Sequence, residues 1–404
     1  MKKMLCVVCA LLAYHGLFQV QGALPESSAV AQEGLSRATT APGSGDAEAS
    51  EKKLKSRAAS SNVRGAMYPQ VSDEGRVIFR LRAPEAQKVQ VDLGRRYDMV
   101  KNREGIWEVT TDPQGGGFHY YSLVIDGVSV CDPGSETFYG MGRMAGGIEI
   151  PFDGDGFYAL KDVPHGELRS KRYYSSVSQS WRRFILYTPP GYDQAPEGTT
   201  YPVLYLLHGG GEDERGWAMQ GKTDLIMDNL IAEGKAKPML VVMLDGNLVQ
   251  PNFRENFLKL FQDDLIQCVI PFVEKNYKVK TDSKNRALAG LSMGGIQTLY
   301  VGIYHSELFS YLGVFSSGWF QPQNELAQSQ YNFLKDNVAA FKDNVKEFWF
   351  SMGGQRDIAY QNCKKMLEKF DDLQIPYTYR DYRGGHTWPA WRESLPDFAP
   401  VLFK

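Results

Sequence analysis

The sequence predicts an α/β protein: a doubly wound, mostly parallel sheet preceded by a small all-β sandwich. Three observations carry this prediction. From about residue 170, apolar runs of buried-strand length such as Val203-Leu204-Tyr205-Leu206-Leu207 alternate with helical stretches. That is the pattern of parallel strands joined by crossover helices. Between about 63 and 160, short strands recur between Gly, Asp-Gly and Asp-Pro turns, as in a sandwich. Finally, a glycine-flanked serine, Gly290-Leu291-Ser292-Met293-Gly294, stands between an apolar strand and a helix.

The elements follow in chain order. Met1-Lys2-Lys3 and the apolar stretch up to Phe18 read as a signal peptide over 1–22, with small residues at its end. The apolar run is short for a spanning helix and is broken by His15, so cleavage is expected rather than anchoring. No other segment is apolar enough to span a membrane, so the expected location is secreted or periplasmic. Residues 23–62, rich in Ala, Ser, Gly, Glu and Arg without a hydrophobic period, read as a disordered linker. The sandwich is expected over 63–162, with strands at 77–82, 89–93, 106–109 and 120–125. The second domain, 163–404, opens with a hairpin of 168–175 and 181–187. Strands at 203–207, 239–244, 286–290, 311–315, 347–351 and 377–382 then alternate with helices at 223–233, 256–277 and 294–305.

Composition excludes several functions. The chain has 404 residues, 43% of them hydrophobic and 23% charged, and a net charge of -2. A nucleic-acid binder would need a concentrated basic surface, which this balance does not supply. Of five cysteines, Cys6 and Cys9 fall in the signal. Cys131, Cys268 and Cys363 are odd in number and far apart, so neither a disulfide framework nor a zinc pattern is present. Cys268 and Cys363 are expected to be small buried apolar residues of helices.

The chemistry centres on Ser292. A strand that turns abruptly into a helix lifts the serine hydroxyl above the sheet, and glycines two residues either side avoid collisions with the neighbouring strand and helix. A serine hydroxyl needs a base. In an α/β-hydrolase fold the order is Ser, acid, His. His305 lies on the helix after the serine and is expected to point away. His386, in Arg383-Gly384-Gly385-His386-Thr387-Trp388, follows the last strand and is the expected base. The acid candidates are Asp336, Asp343, Asp357, Asp371, Asp372 and Asp381, of which Asp357 sits in a strand-end loop one unit before the histidine. His208-Gly209-Gly210-Gly211 follows the strand ending at Leu207 and matches a loop that donates one N–H to an oxyanion. The expected donors are Met293 and either Gly210 or Gly211. No metal or cofactor is required.

These residues resemble carbohydrate esterase family 1, and within it the bacterial feruloyl esterases. The resemblance runs from about 200 to 400. It rests on Leu207-His208-Gly209-Gly210-Gly211, Asp228-Asn229-Leu230-Ile231-Ala232-Glu233-Gly234, Glu255-Asn256-Phe257, Ala289-Gly290-Leu291-Ser292-Met293-Gly294-Gly295, and Gly384-Gly385-His386 with Trp388. It implies triad roles for Ser292, Asp357 and His386. In one departure, Arg356 precedes the acid where relatives often carry a small polar residue. Residues Phe79-Arg80-Leu81-Arg82-Ala83-Pro84, Gly105-Ile106-Trp107, Asp126-Gly127 and Asp132-Pro133 resemble family 48 carbohydrate-binding modules, which implies an immunoglobulin-like sandwich. Trp107, Tyr120 and Tyr121 are candidates to stack on sugars there, with core packing the better reading for Trp107.

The expected reaction is hydrolysis of the ester between a hydroxycinnamic acid and arabinose on xylan, so the expected partner is plant cell-wall polysaccharide, with no nucleic acid and no membrane after signal cleavage. Trp319, Phe320, Trp388 and Trp391 are candidates to line an aromatic pocket. The alternatives are an acetyl-xylan esterase and a siderophore esterase of the enterobactin type. From a different class, a non-catalytic carbohydrate-binding protein is opposed by the intact Ser-Asp-His order.

Overall fold

A computed structural model describes residues 55–248, 253–319 and 324–404. The predicted signal peptide and most of the predicted linker lie outside the described residues, as does Phe320. The N-terminal region is all-β, in two sheets. Strands β1 (Ser56–Ala58), β2 (Gln70–Ser72), β3 (Val77–Arg82), β6 (Val100–Lys101) and β7 (Ile106–Thr110) form one, in the order β1-β2-β3-β7-β6. Strands β4 (Val89–Leu93), β5 (Arg95–Asp98), β8 (Gly117–Ile125), β9 (Val128–Val130), β10 (Thr137–Gly140) and β11 (Arg143–Ile150) form the other, in the order β10-β11-β8-β4-β5 with β9 beside β8. Val77, Phe79 and Trp107 of the first sheet meet Val89, Val91, Tyr121 and Ile148 of the second in one buried cluster. Trp107 is therefore core, its indole N–H held by the Ala83 carbonyl at 2.8 Å. Tyr121 is core as well, with its hydroxyl on Asp132, so it offers no open face to a sugar.

The linker boundary needs correction. Residues 55–62 are built into the fold: β1 pairs with β2, the Ser61 hydroxyl donates to the Gly147 carbonyl at 2.6 Å, and the Asn62 amide donates to Ala66 and Pro69. An edge strand is held by its backbone, so polar composition hides it.

The second region is an eight-stranded sheet. Its strands are β12 (Glu167–Ser175), β13 (Ser180–Thr188), β14 (Val203–Leu207), β15 (Leu240–Leu244), β16 (Arg286–Leu291), β17 (Tyr311–Phe315), β18 (Glu347–Met352) and β19 (Thr378–Asp381), in the order β12-β13-β15-β14-β16-β17-β18-β19. The β12–β13 hairpin is antiparallel and the strands from β15 to β19 are parallel. In β14, Val203, Tyr205 and Leu207 face one core while Leu204 and Leu206 face the other. Burial on both faces is why this strand reads as an unbroken apolar run. Cys268 and Cys363 are buried in helical segments, as the sequence predicts.

The predicted helix over 256–277 is interrupted. Helix Phe253–Asp264 passes through a π-turn, Leu265–Val269, before Ile270–Asn276. Pro271 has no N–H to return to the preceding turn, and the widened turn lies just before it.

The two regions share a core. Phe118, Phe138 and Tyr158 join Trp217, Trp388 and Leu395 in one cluster. Asp228 accepts from the Tyr187 hydroxyl at 2.7 Å and the Gly166 N–H at 2.9 Å, and Asn229 donates to the Phe157 and Ala159 carbonyls. Their helix, Thr223–Ala232, thus fixes the segment connecting the regions. Arg392, 1% exposed, forks onto Glu149 at 2.7 and 3.0 Å and lies 4.6 Å from the Tyr158 ring centroid. Truncating one partner of such a pair strands a buried charge, so Arg392→Ala is expected to lose about 3 kcal/mol of stability. Urea denaturation would measure it; a loss below about 0.5 kcal/mol, the level of an exposed pair, would contradict it.

Candidate active site

Ser292 stands where β16 gives way to the helix Met293–Tyr304, with φ 50° and ψ -113°. The surroundings force that strain. A Cβ on Gly290 would lie 2.5 Å from the Gly294 carbonyl carbon, and one on Gly294 would lie 2.6 Å from the His208 oxygen. The turn is pinned by the Ser292 N–H on the Phe315 carbonyl at 2.9 Å and the Ser317 hydroxyl on the Ser292 carbonyl at 2.8 Å. The hydroxyl of Ser292 lies 2.9 Å from Nε2 of His386.

Nδ1 of His386 lies 2.8 Å from Oδ1 of Asp357. Asp357 follows β18 and is 3% exposed. Its Oδ1 also accepts the Ala359 N–H, and its Oδ2 accepts the Ser316 hydroxyl and the Gly353 N–H. Burial opposes ionisation of this carboxyl, but the His386 hydrogen bond and charge, helped by Ser316 and Gly353, outweigh it and hold it down at about 2. None of Asp336, Asp343, Asp371, Asp372 or Asp381 shares a hydrogen bond with His386, and His305 turns to Glu307. The glycines around acid and base have a purpose: a Cβ on Gly353 would sit 1.9 Å from the Gly385 oxygen, so the two loops touch backbone to backbone. The Gly385 N–H donates to the Gly353 carbonyl at 2.9 Å.

The loop after β14 passes beside the serine. A Cβ on Gly209 would lie 3.3 Å from the Ser292 Cβ. Among the described residues, the N–H groups of Met293, Gly210 and Gly211 have no acceptor. Unclaimed donors beside a hydroxyl relayed to a buried carboxylate can meet an oxyanion. Together these groups can deprotonate Ser292, hold the resulting imidazolium and bind a tetrahedral intermediate.

Residues 175–402 match the profile of the Esterase family. The chain belongs to that family. An endo-1,4-beta-xylanase/feruloyl esterase of Xylanibacter ruminicola is 42% identical over 359 residues, which is 85% of this chain and 47% of that protein. The chain thus spans about half the length of that relative. A CE1 ferulic acid esterase of Anaeromyces mucronatus superposes with a TM-score of 0.53 at 24% identity, over 62% of this chain and 95% of the other. The enterobactin esterase of Shigella flexneri superposes with a TM-score of 0.63 at 17% identity, over 80% of this chain and 92% of the other. At these identities the two structures show the fold, an α/β hydrolase.

The aromatic candidates separate. Trp391 meets the His386 ring edge to face at 5.2 Å. Trp388 is enclosed against Trp217 and 2% exposed, so it cannot line an open pocket; its indole N–H is spent on Glu212 at 2.8 Å. Trp319 packs into the core against Phe370 and Tyr331. Residue type alone does not distinguish a core tryptophan from a lining one. Two residues near the site went unread in the sequence. Ser316 holds the acid. Glu212, directly after the glycine loop, is buried and accepts from Tyr120 and Trp388. Burial pushes its carboxyl up to about 7, against the pull of His208, Tyr120, Trp388 and the Gly209 N–H. Its place next to Gly211 was the only signal available.

Two outcomes are expected. Asp357→Asn keeps the shape but removes the charge and the tautomer control, so kcat on an ester should fall roughly 10⁴-fold; a loss under tenfold would move the acid elsewhere. Because the folded carboxyl lies below the unfolded value near 4, it adds stability above that pH, and this is lost as pH falls from about 4 through 2. Acid unfolding of the wild type should therefore lose about 2 kcal/mol in that window that Asp357→Asn does not lose.

Proposed function

We propose that this chain is a serine feruloyl esterase that releases hydroxycinnamic acid from arabinose side chains of plant cell-wall xylan. The observation that carries the reading is the continuous relay from Ser292 through His386 to Asp357, at 2.9 and 2.8 Å, beside unclaimed N–H groups. The substrate class is supported by the 42% identity to a xylanase/feruloyl esterase over most of this chain. His386 takes the Ser292 proton as Oγ attacks the ester carbonyl carbon. Met293 and Gly210 or Gly211 hold the oxyanion. Collapse expels the sugar alcohol, which takes the proton from His386 and leaves an acyl-enzyme. Water, deprotonated by His386, attacks the acyl carbon; ferulate leaves as Ser292 recovers the proton.

In this reading the N-terminal region is an immunoglobulin-like sandwich of the family 48 carbohydrate-binding kind, and the leader 1–22 directs the protein to the periplasm or outside the cell. Composition of the leader and the motifs around Phe79 and Trp107 support both statements.

Initial rates on methyl ferulate, acetylated xylan and a catechol-type siderophore ester would test the substrate. Ferulate release exceeding acetate release is expected; acetate release alone would make the enzyme a deacetylase, and turnover of the siderophore ester alone would reject the cell-wall substrate. Ser292→Ala should fold normally and lose roughly 10⁶ in kcat; a folded variant that keeps turnover would reject the nucleophile.

A further inference from the structure

The glycine loop poses a mechanical problem. Oxyanion donors act only when held roughly 2.7–3.1 Å from where the charge develops. A run of three glycines has no side chains with which to anchor itself. The hydrolase region holds part of it, through the His208 ring on the Gly209 carbonyl and the Asn247 amide on the Glu212 carbonyl; further anchors come from the N-terminal region. The Gly211 carbonyl accepts the N–H of Gly142, in the turn between β10 and β11, at 2.8 Å. The next residue, Glu212, drives its carboxylate inward. Its Oε1 accepts the hydroxyl of Tyr120, from β8, at 2.9 Å and the indole N–H of Trp388 at 2.8 Å.

Tyr120 is itself braced. Its oxygen accepts from the Gln220 amide at 2.6 Å, and the same amide donates to the Tyr139 carbonyl of β10 at 2.9 Å. The three contact points, Tyr120 on β8, Tyr139 on β10 and Gly142 in the β10–β11 turn, belong to one sheet, ordered β10-β11-β8. A Cβ on Gly140 would fall 2.2 Å from the Tyr120 hydroxyl oxygen, so the ring crosses this strand only over a glycine. Trp388 opens the helix two residues after His386. One buried carboxylate therefore joins the sandwich, the oxyanion loop and the segment that carries the base. Packing alone does not ask for a carboxylate here. A buried carboxyl costs free energy that an apolar side chain of similar volume would avoid.

We propose that the N-terminal sandwich is a working part of the active site, holding the Gly209–Gly211 loop through Glu212, and that Tyr120 and Glu212 are positioning residues for turnover. This rests on the serine esterase reading above. The sandwich acts on the reaction through the loop and not only by contacting polysaccharide, so its contribution extends to substrates too small to reach it.

The test uses the mature protein and two small esters, methyl ferulate and p-nitrophenyl acetate, with active sites counted by a serine-reactive phosphonate. Turnover of the nitrophenyl ester alone would overturn the feruloyl reading yet leave this test intact. Tyr120→Phe removes a single oxygen, with its hydrogen bond to Glu212 and those it accepts from Gln220 and Trp388. Its kcat per titrated site should fall about tenfold on both esters, less than the roughly 10²–10³ for deleting an oxyanion donor, while KM stays within about twofold. Glu212→Gln, which keeps an acceptor oxygen, should lose less than Glu212→Ala. If Glu212→Ala does not fold, Tyr120→Phe still decides. Unchanged kcat per titrated site in Tyr120→Phe, whatever its melting temperature, would reduce the clasp to ordinary structure. A raised KM at unchanged kcat would make it a substrate contact instead. Either result overturns the proposal.

Discussion

The hydrogen bond between the His386 imidazole and the buried Asp357 carboxylate is the interaction on which the site depends. It fixes which ring nitrogen faces Ser292, and in the proposed mechanism it stabilises the charge the ring gains on taking the serine proton. Its cost is a carboxylate at 3% exposure, offset by Ala359, Gly353 and Ser316 as further donors. Those donors exist because the loops after β17 and β18 lie side by side at one end of a parallel sheet. The strained backbone of Ser292, the contact of Gly353 with Gly385 and the register of the strands all serve that alignment.

Much of this was legible in the sequence, for a physical reason. The turn at Ser292 is a local steric problem, so its glycines lie within two residues of it. The loop ends of parallel strands fall on one side, so strand order alone brings His386 and Asp357 to Ser292. Residues whose role depends on a distant partner were not legible. Glu212 acquires meaning only from Tyr120, 92 positions earlier, and Trp388, 176 positions later. Trp319 and Trp388 have the composition of a binding pocket but pack inward. The strand at Ser56 was hidden because an edge is held by backbone pairing rather than by apolar side chains.

The relation of the two regions is the feature least suggested by composition. A tethered module would meet its neighbour through a polar, loosely packed surface. Here the regions share aromatic core, a buried ion pair between Arg392 and Glu149, and hydrogen bonds to the loop beside the serine. The hydrolase sheet sets the relay from one side and the sandwich bounds the glycine loop from the other. The linking helix Thr223–Ala232 holds this same boundary through Asp228 and Asn229.

The central claim is that Ser292 carries the acyl group during turnover. Acid quench of the protein during steady-state turnover of a ferulate ester, followed by intact-mass and peptide mass spectrometry, tests it most directly. A population heavier by one feruloyl group is expected, with the added mass on the peptide at the position of Ser292. Acylation of another residue, or turnover with no acylated protein at any quench time together with no burst of released alcohol, would contradict it.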